Sequence, residues 1–222
     1  MTRAPGPLYV IAAATLGAAA WVWWQNSQAS ASTNTGDTTA STDTTATTFD
    51  FTGTLEDMTS QVSNIFTSVT SAIADPNVQA FLTLVRTGEG TLGPNGYRTL
   101  FGGGTFDSFA DHPNIRVTRG ALTSTAAGAY QILYGTWLEM QAAYGLPDFS
   151  PASQDIAAVG LIKRRGALSD VLAGRFDAAI TKCNKEWASL PGSPYGQPTL
   201  TLARAHNVLA SAGGVQTDGV LA

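Results

Sequence analysis

The chain has 222 residues, 44% of them hydrophobic and 13% charged, with a formal net charge of −4. Globular chains carry roughly a quarter charged residues. The deficit here traces to an apolar run near the N-terminus and a Ser/Thr tract behind it. Without them about 145 residues remain, enough for one domain with a single core. Up to Ala74 there is one basic residue, Arg3, against five acids; beyond it eleven basic and eleven acidic residues balance. A nucleic-acid-binding domain shows a basic excess, so that class is set aside. Cys183 is the only cysteine, which excludes an intrachain disulfide and a CxxC motif.

Residues 1–6 hold Arg3 and the terminal amine. Residues 7–24 (PLYVIAAATLGAAAWVWW) carry no charge and end in Trp21, Trp23 and Trp24. About 18 residues is the short end of what spans a bilayer, and indole rings favour the membrane–water interface. With basic charge only before the run, the positive-inside rule keeps the N-terminus cytoplasmic and exports the rest. The expectation is one N-terminal transmembrane or signal-anchor helix with the remainder on the periplasmic or extracytoplasmic side. A cleaved signal peptide ending near Ala29-Ser30-Ala31 competes with it, and so does a weakly apolar anchor that is later released.

Residues 25–53 are mostly Ser, Thr, Ala, Asn and Asp, which bury too little apolar area to offset the entropy of ordering them. They read as a flexible linker. Residues 54–74 differ. Leu55, Met58, Val62, Ile65, Val69 and Ala72 recur at spacings of three and four, the seam of an amphipathic helix. The plain reading packs this helix on the following domain; the sharper one makes it a self-association helix.

The domain itself is placed at 75–216, with a C-terminal tail at 217–222. After Pro76, the residues Val78, Phe81, Leu82 and Val85 form one apolar helical face, and the run ends in Thr87-Gly88-Glu89-Gly90. A helix stopped by glycine delivers Glu89 at its C-terminal end. The helix dipole disfavours an anion there, and an apolar wall would disfavour it further. Both raise a carboxyl pKa, as a general acid working near neutral pH requires. A surface Glu in a turn is the alternative. Tyr97 to Phe101 and Phe106 to Phe109, joined by Gly102-Gly103-Gly104, read as strands. His112 has no second metal-ligand partner at useful spacing, so Asp111-His112-Pro113 reads as loop structure. No metal and no cofactor is implied. Trp137, Trp187 and Cys183 read as core.

Five blocks carry a family resemblance: AFLTLVRTGEGT (80–91), GYRTLFGGGTFDSFADHP (96–113), STAAGAYQIL (124–133), DFSPASQDIAAVGLIKRRGAL (148–168) and KCNKEWASLPGSPYGQ (182–197). Their order and intervals resemble the lambda-type phage endolysins, glycoside hydrolase family 104. That resemblance implies an α+β, lysozyme-like, two-lobed domain, mainly helical with a small three-stranded sheet. It implies lytic transglycosylase activity on peptidoglycan glycan strands. Glu89 would protonate the oxygen between N-acetylmuramic acid and N-acetylglucosamine, and its carboxylate would then take the proton of the muramic 6-hydroxyl, closing a 1,6-anhydro ring. Gly128, Tyr130 and Gln131 match a substrate-binding stretch, in which Ala129 stands where some members carry a basic residue. Two lips flank the cleft: an upper one at 114–123, and a lower one at 190–203 with Tyr195 and Gln197 as sugar contacts.

Hydrolytic glycosidases need a second carboxylate near the bond. The residues about nine after Glu89 offer none, and the next acid is Asp107. Asp107 or Asp111 brought round in space would restore a hydrolytic muramidase. An inactive peptidoglycan-binding virion protein is the remaining alternative.

Overall fold

In the computed structural model, the structure describes residues 68–120, 122–196 and 198–217. The expected transmembrane segment 7–24, the linker 25–53, most of the helix at 54–74, Gln197 and all but Thr217 of the tail lie outside the described residues. Among the described residues no helix is long and apolar enough to cross a membrane.

The first described stretch, 68–72, is helical. Val69 and Ala72, two of the seam positions, are buried in the domain core, and Ser68 Oγ accepts a 2.9 Å hydrogen bond from Lys163 Nζ. Helix α1 spans Pro76–Gly88. Asp75 caps it by accepting from the Asn77 and Val78 amides, and Pro76 occupies the first position, where a missing N–H costs nothing. Its apolar face (Val78, Phe81, Leu82, Val85) is buried as the spacing requires. Gly90, at φ 70°, ends it in the left-handed region.

Five more helices complete the domain: α2 (Tyr134–Tyr144), α3 (Pro151–Arg164), α4 (Leu168–Leu172), α5 (Phe176–Cys183) and α6 (Leu202–Ser211). Helix α1 packs mainly on α6 and also on α3 and α4. Trp137, Trp187 and Cys183 are all buried in this core. Each indole N–H keeps a partner, Asp111 Oδ1 at 3.1 Å and the Tyr130 carbonyl at 3.2 Å, as a buried donor must.

The sheet departs from expectation. Among the described residues it has two strands rather than three, β1 (Val117–Arg119) and β2 (Leu122–Ser124), antiparallel with Thr118 opposite Thr123. Of the segments read as strands, 97–101 is occupied by the ends of two 3-10 turns, Gly96–Arg98 and Phe101–Gly103, and 106–109 is irregular, leaving isolated bridges, Thr99 to Thr105 and Leu100 to Ala127. The arms are cut short by what flanks them: the 3-10 turn Gly96–Arg98 directly precedes Thr99, and Leu100 pairs with Ala127 instead of continuing along the second arm. Gly102 and Gly103, at φ 77° and 91°, fold the chain back so sharply that the Leu100 amide bonds Gly104 O at 2.6 Å. The pairing continues one step further, the Phe106 amide donating to Arg98 O at 3.0 Å, and stops where the 3-10 turn begins. Residue 102 must also lack a Cβ, because the Arg119 side chain occupies that space.

Gln154, fully buried near the start of α3, ties these irregular segments together. Its amide donates to the Tyr97 and Phe149 carbonyls (3.0 and 2.8 Å), and its oxygen accepts from the Ala129 amide at 2.8 Å. Replacing it with Leu strands three buried backbone groups, each worth about 1–3 kcal/mol. Gln154→Leu is therefore expected to cost about 3 kcal/mol or more, read as a Tm fall of roughly 6–12 °C. A loss below about 1 kcal/mol in urea titration would refute this role.

Candidate active site

Glu89 is the residue after α1, its amide still bonded to Val85 O at 2.9 Å. The side chain is partly buried, and burial pushes its carboxyl up to about 7; a hydrogen bond from Ser189 acts in the opposite direction. That bond, Ser189 Oγ to Glu89 Oε1 at 2.7 Å, joins residues 100 apart in sequence. No cation and no second carboxylate contributes to the shift. The group is thus half-desolvated, held by one neutral donor, and poised to lose a proton near neutral pH.

Ser189 is placed by a series of contacts that sequence reading missed. Gly88 has no Cβ, and one added there would lie 2.4 Å from Ser189 Oγ. The Ser189 carbonyl accepts from the Leu200 amide at 2.8 Å. Just before it, the buried carboxylate of Glu186 takes Arg164 at 3.0 Å and Arg165 at 2.7 Å. The basic end of α3 is therefore engaged with an acid of the neighbouring loop, and Arg164 also reaches Glu139 at 2.7 Å. The only sequence signal for Ser189 was its place inside the 182–197 block.

The predicted binding stretch is present but is turned largely inward. Gly128, at φ 80°, would place a Cβ 2.2 Å from Gln154 Oε1, so its lack of a side chain serves packing on α3. The Tyr130 ring is buried, and its hydroxyl donates to Asp155 Oδ1 at 2.6 Å. Tyr97 donates to the same oxygen at 2.9 Å, and Arg86 stacks over the Tyr97 ring at 4.7 Å. Burial raises the carboxyl pKa of Asp155, while both phenols and Arg86 lower it. Gln131 sits at φ 47° with its amide nitrogen on the carbonyls of Thr99 and Gly128, closing the turn. The Thr91 hydroxyl, two residues after Glu89, donates to the Ala129 carbonyl and fastens this turn to the end of α1.

The two segments expected to flank the cleft share a base. Val117 and Leu122 of the β1–β2 hairpin, and Tyr195 of the lower lip, all pack on the cluster Phe101, Ala126, Leu133 and Ala188. Ala188, a member of this cluster, directly precedes Ser189 in the chain. The Tyr195 hydroxyl donates to Lys185 O at 3.3 Å. Of the acids weighed as second carboxylates, Asp107 is exposed. Asp111 accepts from the Trp137 indole and the His112 amide. His112 is a buried neutral ring that donates from Nε2 to Ile132 O at 2.9 Å and accepts at Nδ1 from the Asn114 amide at 3.0 Å. Burial lowers its pKa, which suits this loop-holding role. Among the described residues no three His, Cys, Asp or Glu side chains are grouped to hold a metal ion.

The raised carboxyl pKa has a stability consequence. An unfolded Glu titrates near 4.5 and the folded Glu89 near 7. The folded state binds the extra proton between these values, so the contribution of Glu89 is present below 4.5 and lost as pH rises through 7. Glu89→Gln does not titrate. Its stability advantage over the parent should grow across that window and level off at roughly 3 kcal/mol. Urea unfolding at pH 4 and pH 8 checks this, and an advantage independent of pH would contradict it.

The family model described as Endolysin matches residues 79–216. The endolysin of Escherichia phage P2 is 40% identical over 155 residues, covering 63% of this chain and 94% of that protein. The endolysin of Escherichia phage lambda is 43% identical over 126 residues, 54% of this chain and 80% of that protein. The structure of bacteriophage lambda lysozyme complexed with a chitohexasaccharide aligns with a TM-score of 0.61 and 39% identity, covering 64% of this chain and 96% of that one. A second bacteriophage lambda lysozyme structure gives 0.57 and 38% over the same shares. With a lysozyme-like fold and a half-buried Glu at the end of α1, the chain belongs to the endolysin family.

Proposed function

We propose that this endolysin-family enzyme is a lytic transglycosylase that cleaves the β-1,4 bond between N-acetylmuramic acid and N-acetylglucosamine in peptidoglycan. The observation that carries the reading is the isolation of Glu89: a carboxyl lifted to about 7 by burial, with Ser189 as its hydrogen-bond donor and no acidic neighbour acting on it. Protonated, it donates to the glycosidic oxygen as the bond breaks. The resulting carboxylate takes the proton of the muramic 6-hydroxyl while that oxygen closes on the anomeric carbon. This route needs no second carboxylate, which a hydrolytic one calls on; in its support, Asp111 is held by the Trp137 indole and Asp155 by the Tyr97 and Tyr130 hydroxyls. The lambda lysozyme complex with a chitohexasaccharide supports a glycan as the bound substrate.

The enzyme acts, on this reading, outside the cytoplasm, tethered by the apolar run 7–24 through the linker 25–53. Support comes from the charge-free run, its terminal tryptophans and the lone Arg3 before it. Membrane fractionation of the full chain, followed by N-terminal sequencing, distinguishes a retained anchor from a cleaved leader.

Digestion of purified sacculi followed by mass spectrometry should yield 1,6-anhydromuramic ends. Reducing ends alone would make the enzyme a muramidase. Glu89→Gln should lower turnover by at least about 100-fold, the low end of general acid contributions. A variant that kept most of the rate would remove Glu89 from the acid role.

A further inference from the structure

A groove of about 310 Å³ lies between α1 and α6. Thr83 and Thr87 form one wall, Arg204, Asn207 and Ser211 the other, and Leu92, 51% exposed, closes one end. Both threonine hydroxyls donate back to α1 carbonyls, Gln79 O and Thr83 O, so their lone pairs remain to accept. Asn207 and Ser211 add amide and hydroxyl donors. No acid lines the groove, and Arg204 is its only charge.

Arg204 also stands apart in the charge pattern. Arg164, Arg165, Arg175 and Lys182 pair with carboxylates. Arg86 and Arg98 lie over rings, and Arg119 and Lys163 hold oxygen atoms. Among the described residues, the cationic head groups without a protein partner are Arg116 on the upper lip, Lys185 beside Ser189's loop, and Arg204 in the groove. A solvent-facing cation in a walled groove free of acids is complementary to an anion.

The groove lies round α1 from the Glu89 carboxyl, since side chains two apart on a helix do not share a face. Thr87 precedes Glu89 by two residues, about 3 Å along the helix axis, and Leu92 follows it by three. Leu200, which lies against Gly88, connects the Ser189 contact to the start of α6. A peptide carried by a sugar bound at Glu89 would reach the groove by passing the end of α1.

We propose that the groove between α1 and α6 binds the stem peptide of peptidoglycan, with Arg204 taking a peptide carboxylate and the hydroxyl and amide side chains taking its backbone. This rests on the reading that the enzyme cleaves peptidoglycan, and adds that it recognises the peptide as well as the glycan.

The test uses two substrates, intact sacculi and glycan strands stripped of stem peptides by an amidase, and three variants of the full chain: Arg204→Glu, Arg204→Lys and Ser211→Tyr. Both positions are exposed on α6, and circular dichroism verifies the fold. Arg204→Glu should raise KM on peptide-bearing glycan by about five- to tenfold, the worth of one charge-assisted hydrogen bond, with a far smaller effect on stripped strands. Ser211→Tyr, which fills the groove without changing charge, should show the same selectivity, and Arg204→Lys should retain most of the parent preference. Equal effects on both substrates, or none on either, would overturn the proposal. If the parent enzyme cleaves neither substrate, the peptidoglycan reading itself fails and this proposal falls with it.

Discussion

A carboxyl group that is to give up a proton near neutral pH must be withdrawn from water without being handed to a cation, since a charge partner would hold it ionised. Glu89 meets both conditions. It is partly buried and its hydrogen-bond donor is the neutral hydroxyl of Ser189. Its shift upward is set by burial, and the serine trims that shift rather than reversing it. The remaining architecture of the site serves to bring Ser189 against the end of α1 and keep charge away.

That placement draws on several long-range contacts. Glu186 is buried with Arg164 and Arg165 on it, which fixes the loop after α5 to the end of α3. Removing one partner of such a set would strand a buried charge, so it specifies a position more than it adds stability. Trp187 spans inward to the Tyr130 carbonyl, and Gly88 leaves room for the serine. On the other side, Thr91 and Gln154 fasten the 128–131 turn to α1 and α3. The end of α1, the 128–131 turn, α3 and the loop after α5 are thereby tied to one another, with Glu89 at the end of α1 and Ser189 in that loop.

The sequence carried part of this plainly. The spacing of Val78, Phe81, Leu82 and Val85 and the glycines after Thr87 defined α1 and put Glu89 at its end, because helix periodicity and termination are local. Trp137, Trp187 and Cys183 were legible as core for the same reason. The sheet is smaller than the strand reading of 97–101 and 106–109 implied: the arms do turn back on each other at the glycines, but the 3-10 turn at 96–98 and the pairing of Leu100 with Ala127, 27 residues on, leave only isolated bridges. Tyr130 belongs to the expected substrate-binding stretch, and that its ring is buried with its hydroxyl on Asp155, 25 residues on, is something no local pattern announces. Ser189 and Gln154 were invisible as site residues because their roles exist only once distant segments meet.

The central claim is that Glu89 stays protonated near neutral pH through burial alone. Carboxyl ¹³C NMR titration of the protein labelled at glutamate, with Glu89→Gln assigning the resonance, measures this directly. The account predicts a midpoint of about 7 for Glu89, moving upward in Ser189→Ala because the bond that favours the anion is lost. A midpoint near the ordinary 4.5 would contradict it.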